Sequence, residues 1–161
     1  MASGDITILE NNSTSGRGSR KYNVAAGATA IYAGEPVARA LGAVSVTIMA
    51  TNKPVVGTDY LAGVAMTNST QTASVAGTVD VLPLNSGITF LMAPNSAAAF
   101  DTQAEYDALV GKRVLIDLTT GTYTILASDS ANNGCIIMPL DIAKYPGKVA
   151  FAFRQAVSDV Q

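Results

Sequence analysis

The chain has no histidine, no tryptophan and a single cysteine in 161 residues. Without histidine, catalytic sites that pair serine or cysteine with histidine are excluded, and so are zinc sites of the cysteine/histidine type. One cysteine cannot form a disulfide within the chain. Cys135 lies in an apolar run with no basic neighbour to activate its thiol, so we interpret it as a small buried side chain.

Charge is also scarce. Charged residues make up 14% of the chain, against about 25% in an ordinary soluble domain. A surface this poor in charge favours an oligomer or a component of a larger assembly, in which much of that surface is covered. The formal net charge of −2 gives no reason to expect nucleic-acid binding.

Long apolar runs are missing too. No stretch approaches the ~18 uninterrupted apolar residues of a membrane span, and no basic segment followed by an apolar core marks a signal peptide. We therefore expect no membrane association and synthesis in a cytoplasm.

The acidic residues do not form a recognisable catalytic or metal-binding pattern. Asp80, Asp117 and Asp141 lie in or near apolar runs, where the period of two in a strand places such residues on a solvent face. They are scattered, without the clustering of a calcium-binding loop. We expect no catalytic residues, no metal and no cofactor, and hence no enzyme.

What the chain does contain is a series of short apolar runs separated by Gly, Asn and Pro. Val, Ile, Thr and Tyr dominate these runs, which is typical of strands in an antiparallel sandwich or barrel. A turn at 119–122 between two runs predicts a β-hairpin. The predicted strands lie at 35–39, 44–49, 60–66, 77–82, 88–92, 114–118, 123–126, 134–140 and 149–153.

One helix is predicted, at 101–110. Thr102 and Glu105 have the spacing of a capping box, in which each side chain satisfies a free N–H group of the first turn. Gly111 fits the position after the helix end, where a left-handed conformation is common. Tyr106 gives the helix an apolar side.

Residues 1–26 differ from the rest, because they are polar, rich in glycine and locally basic. We interpret them as an extended N-terminal arm that lies on a partner, and residues 27–161 as a compact β-rich domain. Residues 6–9 would add a strand to a partner's sheet, and the basic residues would pair with acidic side chains. The predicted partner-binding residues are Ile6, Ile8, Leu9, Arg17, Arg20, Lys21 and Tyr22.

Other interpretations of this segment stay open. Residues 6–9 could instead form a strand of the chain's own domain. The basic residues Arg17, Arg20 and Lys21, with Tyr22 beside them, could contact nucleic acid or belong to a solvated linker. Three charges without an aromatic series favour a protein partner over nucleic acid.

Three segments together resemble a known family. Residues 31–37 (IYAGEPV), 59–65 (DYLAGVA) and 77–82 (GTVDVL) resemble, in order and spacing, consecutive segments of the small decoration (cement) proteins of tailed-bacteriophage capsids. The resemblance covers roughly residues 31–92. The C-terminal half resembles the family less specifically.

The resemblance implies a β-tulip-like domain on the outer surface of an icosahedral capsid. Such proteins bind at junctions between copies of the major capsid protein, often as trimers, and hold the shell against internal pressure. We therefore expect a structural virion protein with the major capsid protein as partner. We also expect a homo-oligomer, either a trimer or a dimer, with the trimer favoured.

An alternative is a receptor- or glycan-binding β-module of a virion fibre. That function requires a groove lined with exposed aromatic side chains. Aromatic residues make up only 6% of the chain, and tryptophan is missing. A hydrolytic enzyme is a further alternative, and the missing histidine counts against it.

Overall fold

The computed structural model describes residues 6–11, 18–84, 87–119 and 121–157. Within them the chain forms strands β1 (Thr7–Asn11), β2 (Arg20–Val24), β3 (Pro36–Ala38), β4 (Thr47–Ile48), β5 (Leu61–Ala65), β6 (Gly77–Pro83), β7 (Ile88–Met92), β8 (Arg113–Thr119), β9 (Thr122–Leu126), β10 (Cys135–Ile137) and β11 (Val149–Phe153). One α-helix, α1 (Gln103–Leu109), precedes β8, and short 3₁₀ turns lie at Ala97–Ala99 and Gln155–Val157.

The strands form two antiparallel sheets. The larger has six strands in the order β1-β7-β11-β10-β8-β9, and the smaller has five in the order β2-β6-β5-β3-β4. The predicted mainly β architecture, with one helix, is therefore confirmed. The hairpin at 119–122 is confirmed as well, since β8 and β9 pair directly from Leu115↔Leu126 to Thr119↔Thr122.

The six-stranded sheet curls back on itself. Its last strand, β9, meets the segment that follows β7, where Pro94 bridges Ile125. The Ile125 N–H donates to the Ala93 carbonyl at 2.9 Å, and the Asn95 N–H donates to the Ile125 carbonyl at 2.8 Å. This contact covers the edge of β9 and gives the sheet the shape of a half-barrel around the larger core.

Because of a β-bulge in β5, the smaller sheet contributes side chains to two hydrophobic cores. Ala38 pairs with Leu61 and Val37 with Gly63, so Ala62 is an extra residue on the β5 side. Leu61 packs in the larger core, between the sheets, and Ala62 packs in a smaller core on the other face. The bulge resets the alternation, so Val64 returns to the larger core and Ala65 to the smaller one.

Gly63 makes this bulge possible. Its φ of +151° lies in a region that side chains rarely adopt, and a Cβ atom there would overlap the carbonyl oxygen of Leu82 on β6. The backbones of β5 and β6 therefore approach each other more closely than any other residue would permit.

The predicted helix is confirmed. Thr102 caps it, accepting from the Glu105 N–H at 3.3 Å, while the Glu105 carboxylate accepts from the Thr102 N–H at 3.0 Å. Gly111, after the helix end, has a φ of +84°. The buried Tyr106 anchors the helix to the larger core: its hydroxyl donates to the Met138 carbonyl and accepts from the Ala150 N–H, each at 2.9 Å.

Burial raises the pKa of Tyr106 from its usual 10.0 to about 12. The fold thus favours the neutral phenol of Tyr106. The stability that this preference gives the folded state is complete below pH 10 and is lost as the pH rises through about 12. We expect the free energy of unfolding to fall by up to about 3 kcal/mol through this group.

The measurement is urea unfolding, followed by circular dichroism, of wild type and Tyr106→Phe between pH 9 and pH 12. The variant should start about 1–3 kcal/mol less stable, because the Ala150 N–H loses its acceptor, but should lose less stability as the pH rises. The same slope for both proteins would contradict the assignment. Burial and the Glu35 charge also raise the pKa of Tyr123, so a residual slope remains in the variant.

The N-terminal segment is not separate from the domain where the structure describes it. β1 pairs with β7, and β2 pairs with β6 over five residues from Arg20↔Val81 to Val24↔Gly77. The interpretation of 1–26 as an extended arm is corrected for these strands, because their backbone hydrogen bonds are made within the chain's own sheets. Residues 6–9 follow the alternative of a strand in the chain's own domain.

Two predicted strands are much shorter than expected. The run at 134–140 yields only β10, which has three residues. The run at 44–49 yields only β4, which pairs with β3. The chain first turns at Gly42, with the Ala43 N–H donating to the Ala40 carbonyl, and Ser45 then bridges Asn23 on β2. This detour leaves Val44 exposed while Val46 is buried in the smaller core.

Candidate partner-binding surface

The structure divides the predicted partner-binding residues between two sheets. Ile6 is buried in the larger core, Leu9 packs partly buried against it, and Ile8 is 38% exposed on β1. Arg20, Lys21 and Tyr22 lie together on β2, in the other sheet. Arg17 lies outside the described residues. The predicted partner-binding residues that the structure describes therefore lie in or beside two edge strands, β1 and β2.

The edge strand β2 carries the exposed basic side chains. Arg20 and Lys21 are both exposed, and Lys21 stands opposite Asp80 of β6 in the strand register. Tyr22 is half-buried and packs against the smaller core, which fixes this strand to the sheet. Arg20 and Lys21 are thus positive groups on a rigid support, and they remain available to an acidic partner.

Ile6, just before β1, and Ile8, on β1, differ in how far they are buried. Ile6 is only 7% exposed and contributes to the larger core, so it cannot also anchor a partner. Ile8, two residues later, retains solvent contact. Of the apolar residues predicted to bind a partner, Ile8 has the greatest exposure.

The three acidic residues considered in the sequence analysis, Asp80, Asp117 and Asp141, lie in different local environments. Both oxygens of the Asp117 carboxylate accept hydrogen bonds, one from the Thr51 hydroxyl and one from the Asn95 amide at 2.8 Å. Asp141 is exposed, and its carboxylate accepts from the Ala143 N–H at 3.0 Å within its own turn. Asp80 is half-buried on β6. The Asp117 and Asp141 carboxylates thus have different hydrogen-bond partners, and the described residues hold no acidic cluster suited to a metal ion.

Cys135 is fully buried on β10, as the sequence predicted. Burial raises the pKa of its thiol well above the usual value. The thiol is therefore held in its unreactive, protonated form.

A groove opens where β2 ends and β6 begins, beside two loops. Its floor is formed by Val24, Gly77 and neighbouring residues of these strands, and Val44 and Thr70 border it. The cavity volume is about 630 Å³, and no charged side chain is among the lining residues. Gly77 is essential to its shape, since a Cβ atom there would overlap the backbone N of Gln71.

Exposed apolar side chains cluster around this groove. Among the described residues, five large apolar side chains are exposed, and four of them lie in the β3–β4 and β5–β6 loops that border the groove; the fourth, Met66, directly follows β5. Leu41 and Val44 are each 85% exposed in the loop between β3 and β4, and Val75 is 61% exposed beside the lining residue Ala76. We call the groove together with Leu41, Val44 and Val75 the groove surface.

The groove surface was not predicted from the sequence, because Val44 was assigned to a strand at 44–49. The signal that could have found it is the Leu41-Gly42 pair. A glycine between two apolar residues, in a run with no charge from 40 to 45, predicts a turn that leaves its apolar neighbours outside. Val75 carries no such signal, because its loop (66–76) is held by distant contacts. The Gly27 N–H donates to the Thr72 carbonyl at 2.9 Å, and the Ser69 N–H donates to the Ile31 carbonyl at 2.8 Å.

In the described ranges no group of three or more His, Cys, Asp or Glu side chains is arranged to hold a metal ion. No helix within them has the length and apolar character needed to cross a membrane. No protein-family model, curated protein or solved structure matches this chain.

Proposed function

We propose that this protein is a structural virion protein that binds the outer surface of an icosahedral tailed-phage capsid. It acts by binding, without catalysis or a cofactor, and stabilises contacts between copies of the major capsid protein. It associates as a trimer or a dimer of identical chains.

The observation that carries this proposal is the position of the three segments that resemble capsid decoration proteins. Residues 31–37 lead into β3, residues 59–65 contain β5, and residues 77–82 lie in β6. These strands are direct neighbours in the smaller sheet, in the order β6-β5-β3. The three segments thus form one continuous part of this sheet, which supports treating them as a single structural element.

The geometry favours attachment through a rigid face. Because β1 and β2 belong to the chain's own sheets, the described N-terminal residues offer side chains and strand edges rather than a free arm. Arg20 and Lys21 on the edge strand β2 are placed to pair with acidic groups of a capsid protein. Several copies in one oligomer raise the effective concentration of each such contact, so modest individual contacts give tight binding.

The test is co-sedimentation with empty expanded capsids, taken from a panel of tailed phages and lacking their own decoration protein. Wild type should saturate at least one capsid type. The double variant Arg20→Ala/Lys21→Ala should bind less, with the difference shrinking at high salt, since exposed ion pairs contribute only ~0–1 kcal/mol each.

The matched control is Lys112→Ala/Lys144→Ala, which removes two exposed positive charges outside β2. It should bind like wild type. If both double variants lose the same occupancy, net charge rather than the β2 edge governs attachment. If wild type binds no capsid in the panel, the proposed function is wrong.

A further inference from the structure

We propose that Asn133 and Gly134 form a site of spontaneous deamidation that is unreactive in the folded protein and reactive in the unfolded chain. A chain modified there cannot regain this fold. Unfolding thus becomes irreversible through a covalent change at one site, and this inference does not rest on the proposed function.

The chemistry of the pair comes first. Where glycine follows asparagine, no side chain hinders the backbone nitrogen of the glycine, which can attack the Cγ atom of the asparagine. The new N–C bond closes a succinimide ring, and the side-chain amino group leaves as ammonia with the proton of the attacking N–H. Water then opens the ring at either carbonyl and leaves aspartate or isoaspartate. Asn133–Gly134 is the only Asn-Gly pair in the sequence.

In the folded protein the attacking nitrogen already has a partner. The Gly134 N–H donates to the Pro54 carbonyl at 2.8 Å, and Gly134 is buried. The Gly134 carbonyl accepts from the Arg154 N–H, also at 2.8 Å. The backbone is therefore fixed on both sides of this residue, and its nitrogen can reach the Asn133 side chain only if these bonds break.

The leaving group has partners as well. The Asn133 side-chain amide donates to the Arg113 carbonyl at 2.9 Å and to the Ser128 carbonyl at 2.8 Å. Asn133 is only 5% exposed, so the water that the reaction consumes has little access to it. Reaction at this pair therefore requires local or global opening of the fold.

The packing explains why so labile a pair is present. A Cβ atom at position 134 would lie 2.6 Å from Cγ of Pro54 and 2.7 Å from Cγ1 of Val157, which is too close for any side chain. Position 133 needs an amide, because two backbone carbonyls accept from its nitrogen. The fold thus requires asparagine and glycine side by side.

Modification would remove what the fold needs at this point. An ionised aspartate has only acceptor oxygens, so at position 133 it would face the Arg113 and Ser128 carbonyls in a buried place without a donor. Isoaspartate also lengthens the backbone, which would displace the bridge between Val55 and Asn133. The Arg154 guanidinium already donates to the Asn133 carbonyl at 2.7 Å and would have to leave it to neutralise the new charge.

The first experiment measures deamidation at Asn133 by peptide mass spectrometry. The full chain is kept at mildly alkaline pH for several days, either folded or unfolded in guanidinium chloride. Asn133 should react at least tenfold more slowly in the folded protein than in the unfolded chain. Equal rates in the two states would overturn the inference.

The matched control is Leu41→Asn, which makes a second Asn-Gly pair with Gly42. Position 41 is 85% exposed, and a Cβ atom on Gly42 would meet no other atom within 4 Å. In the folded variant this exposed pair should react at least tenfold faster than Asn133. Equally slow reaction at both pairs would show that the contacts of Asn133 and Gly134 are not what protects them.

The second experiment tests refolding. Unfolded wild type is aged until part of it is modified at Asn133, the denaturant is then diluted, and size-exclusion chromatography separates folded from unfolded chains. Modified Asn133 should be enriched at least tenfold in the chains that fail to fold. Modification of the exposed Asn68, whose oxygen accepts from the Ala33 N–H and is kept in aspartate, should be equal in both fractions. Folded chains that carry as much modified Asn133 as the unfolded ones would overturn the proposal.

Discussion

Gly63→Ala is expected to lower the free energy of unfolding by about 4 kcal/mol or more, enough to prevent folding of a marginally stable domain. The added methyl group would overlap the Leu82 carbonyl, and the backbone at φ +151° is one that side chains rarely adopt. Relief of that overlap requires β5 and β6 to separate. Because β5 is central to the smaller sheet, this separation would disturb both cores at once.

The matched control for this prediction is Gly57→Ala. Gly57 also has a positive φ, +86°, but a Cβ atom there would meet no other atom within 4 Å. Its replacement should cost only the backbone strain of about 1–2 kcal/mol. Urea unfolding followed by far-ultraviolet circular dichroism measures both variants. Similar losses for the two would show that the close approach of β5 and β6 is not what requires Gly63.

Ile6→Ala is expected to lower the free energy of unfolding by about 2–5 kcal/mol, the cost of removing a large buried side chain from a packed core. Ile6 is 7% exposed and belongs to the larger core, just before β1 pairs with β7. A segment outside the domain would show no such effect.

Ile8→Ala provides the comparison, because the same chemical change is made two residues away on a side chain that is 38% exposed. We expect a loss of about 1 kcal/mol, since less apolar area leaves the core. Thermal or urea unfolding of both variants measures the difference. If Ile6→Ala were as mild as Ile8→Ala, the N-terminal segment would not be part of the fold.

Local features of this protein could be predicted from its sequence. The strand runs were visible because alternation and turn residues act over a few positions, and β11 has the predicted bounds of 149–153. The capping box was visible because Thr102 and Glu105 are three residues apart and satisfy each other's backbone. The burial of Cys135 followed from its apolar neighbours.

Features that depend on residues far apart in the sequence appear only in the folded chain. The polar composition of residues 1–26 suggested an arm, but β1 pairs with β7, some 80 residues further along the chain, and no local pattern encodes that pairing. The bulge at Ala62 arises between two strands, so its glycine requirement appears only when β6 is in place. Val44 was predicted to lie in a strand at 44–49, but Ser45 bridges Asn23 of β2 instead, and Val44 is exposed. Strand order, edge exposure and the groove surface are set by long-range contacts, which a one-dimensional pattern leaves undetermined.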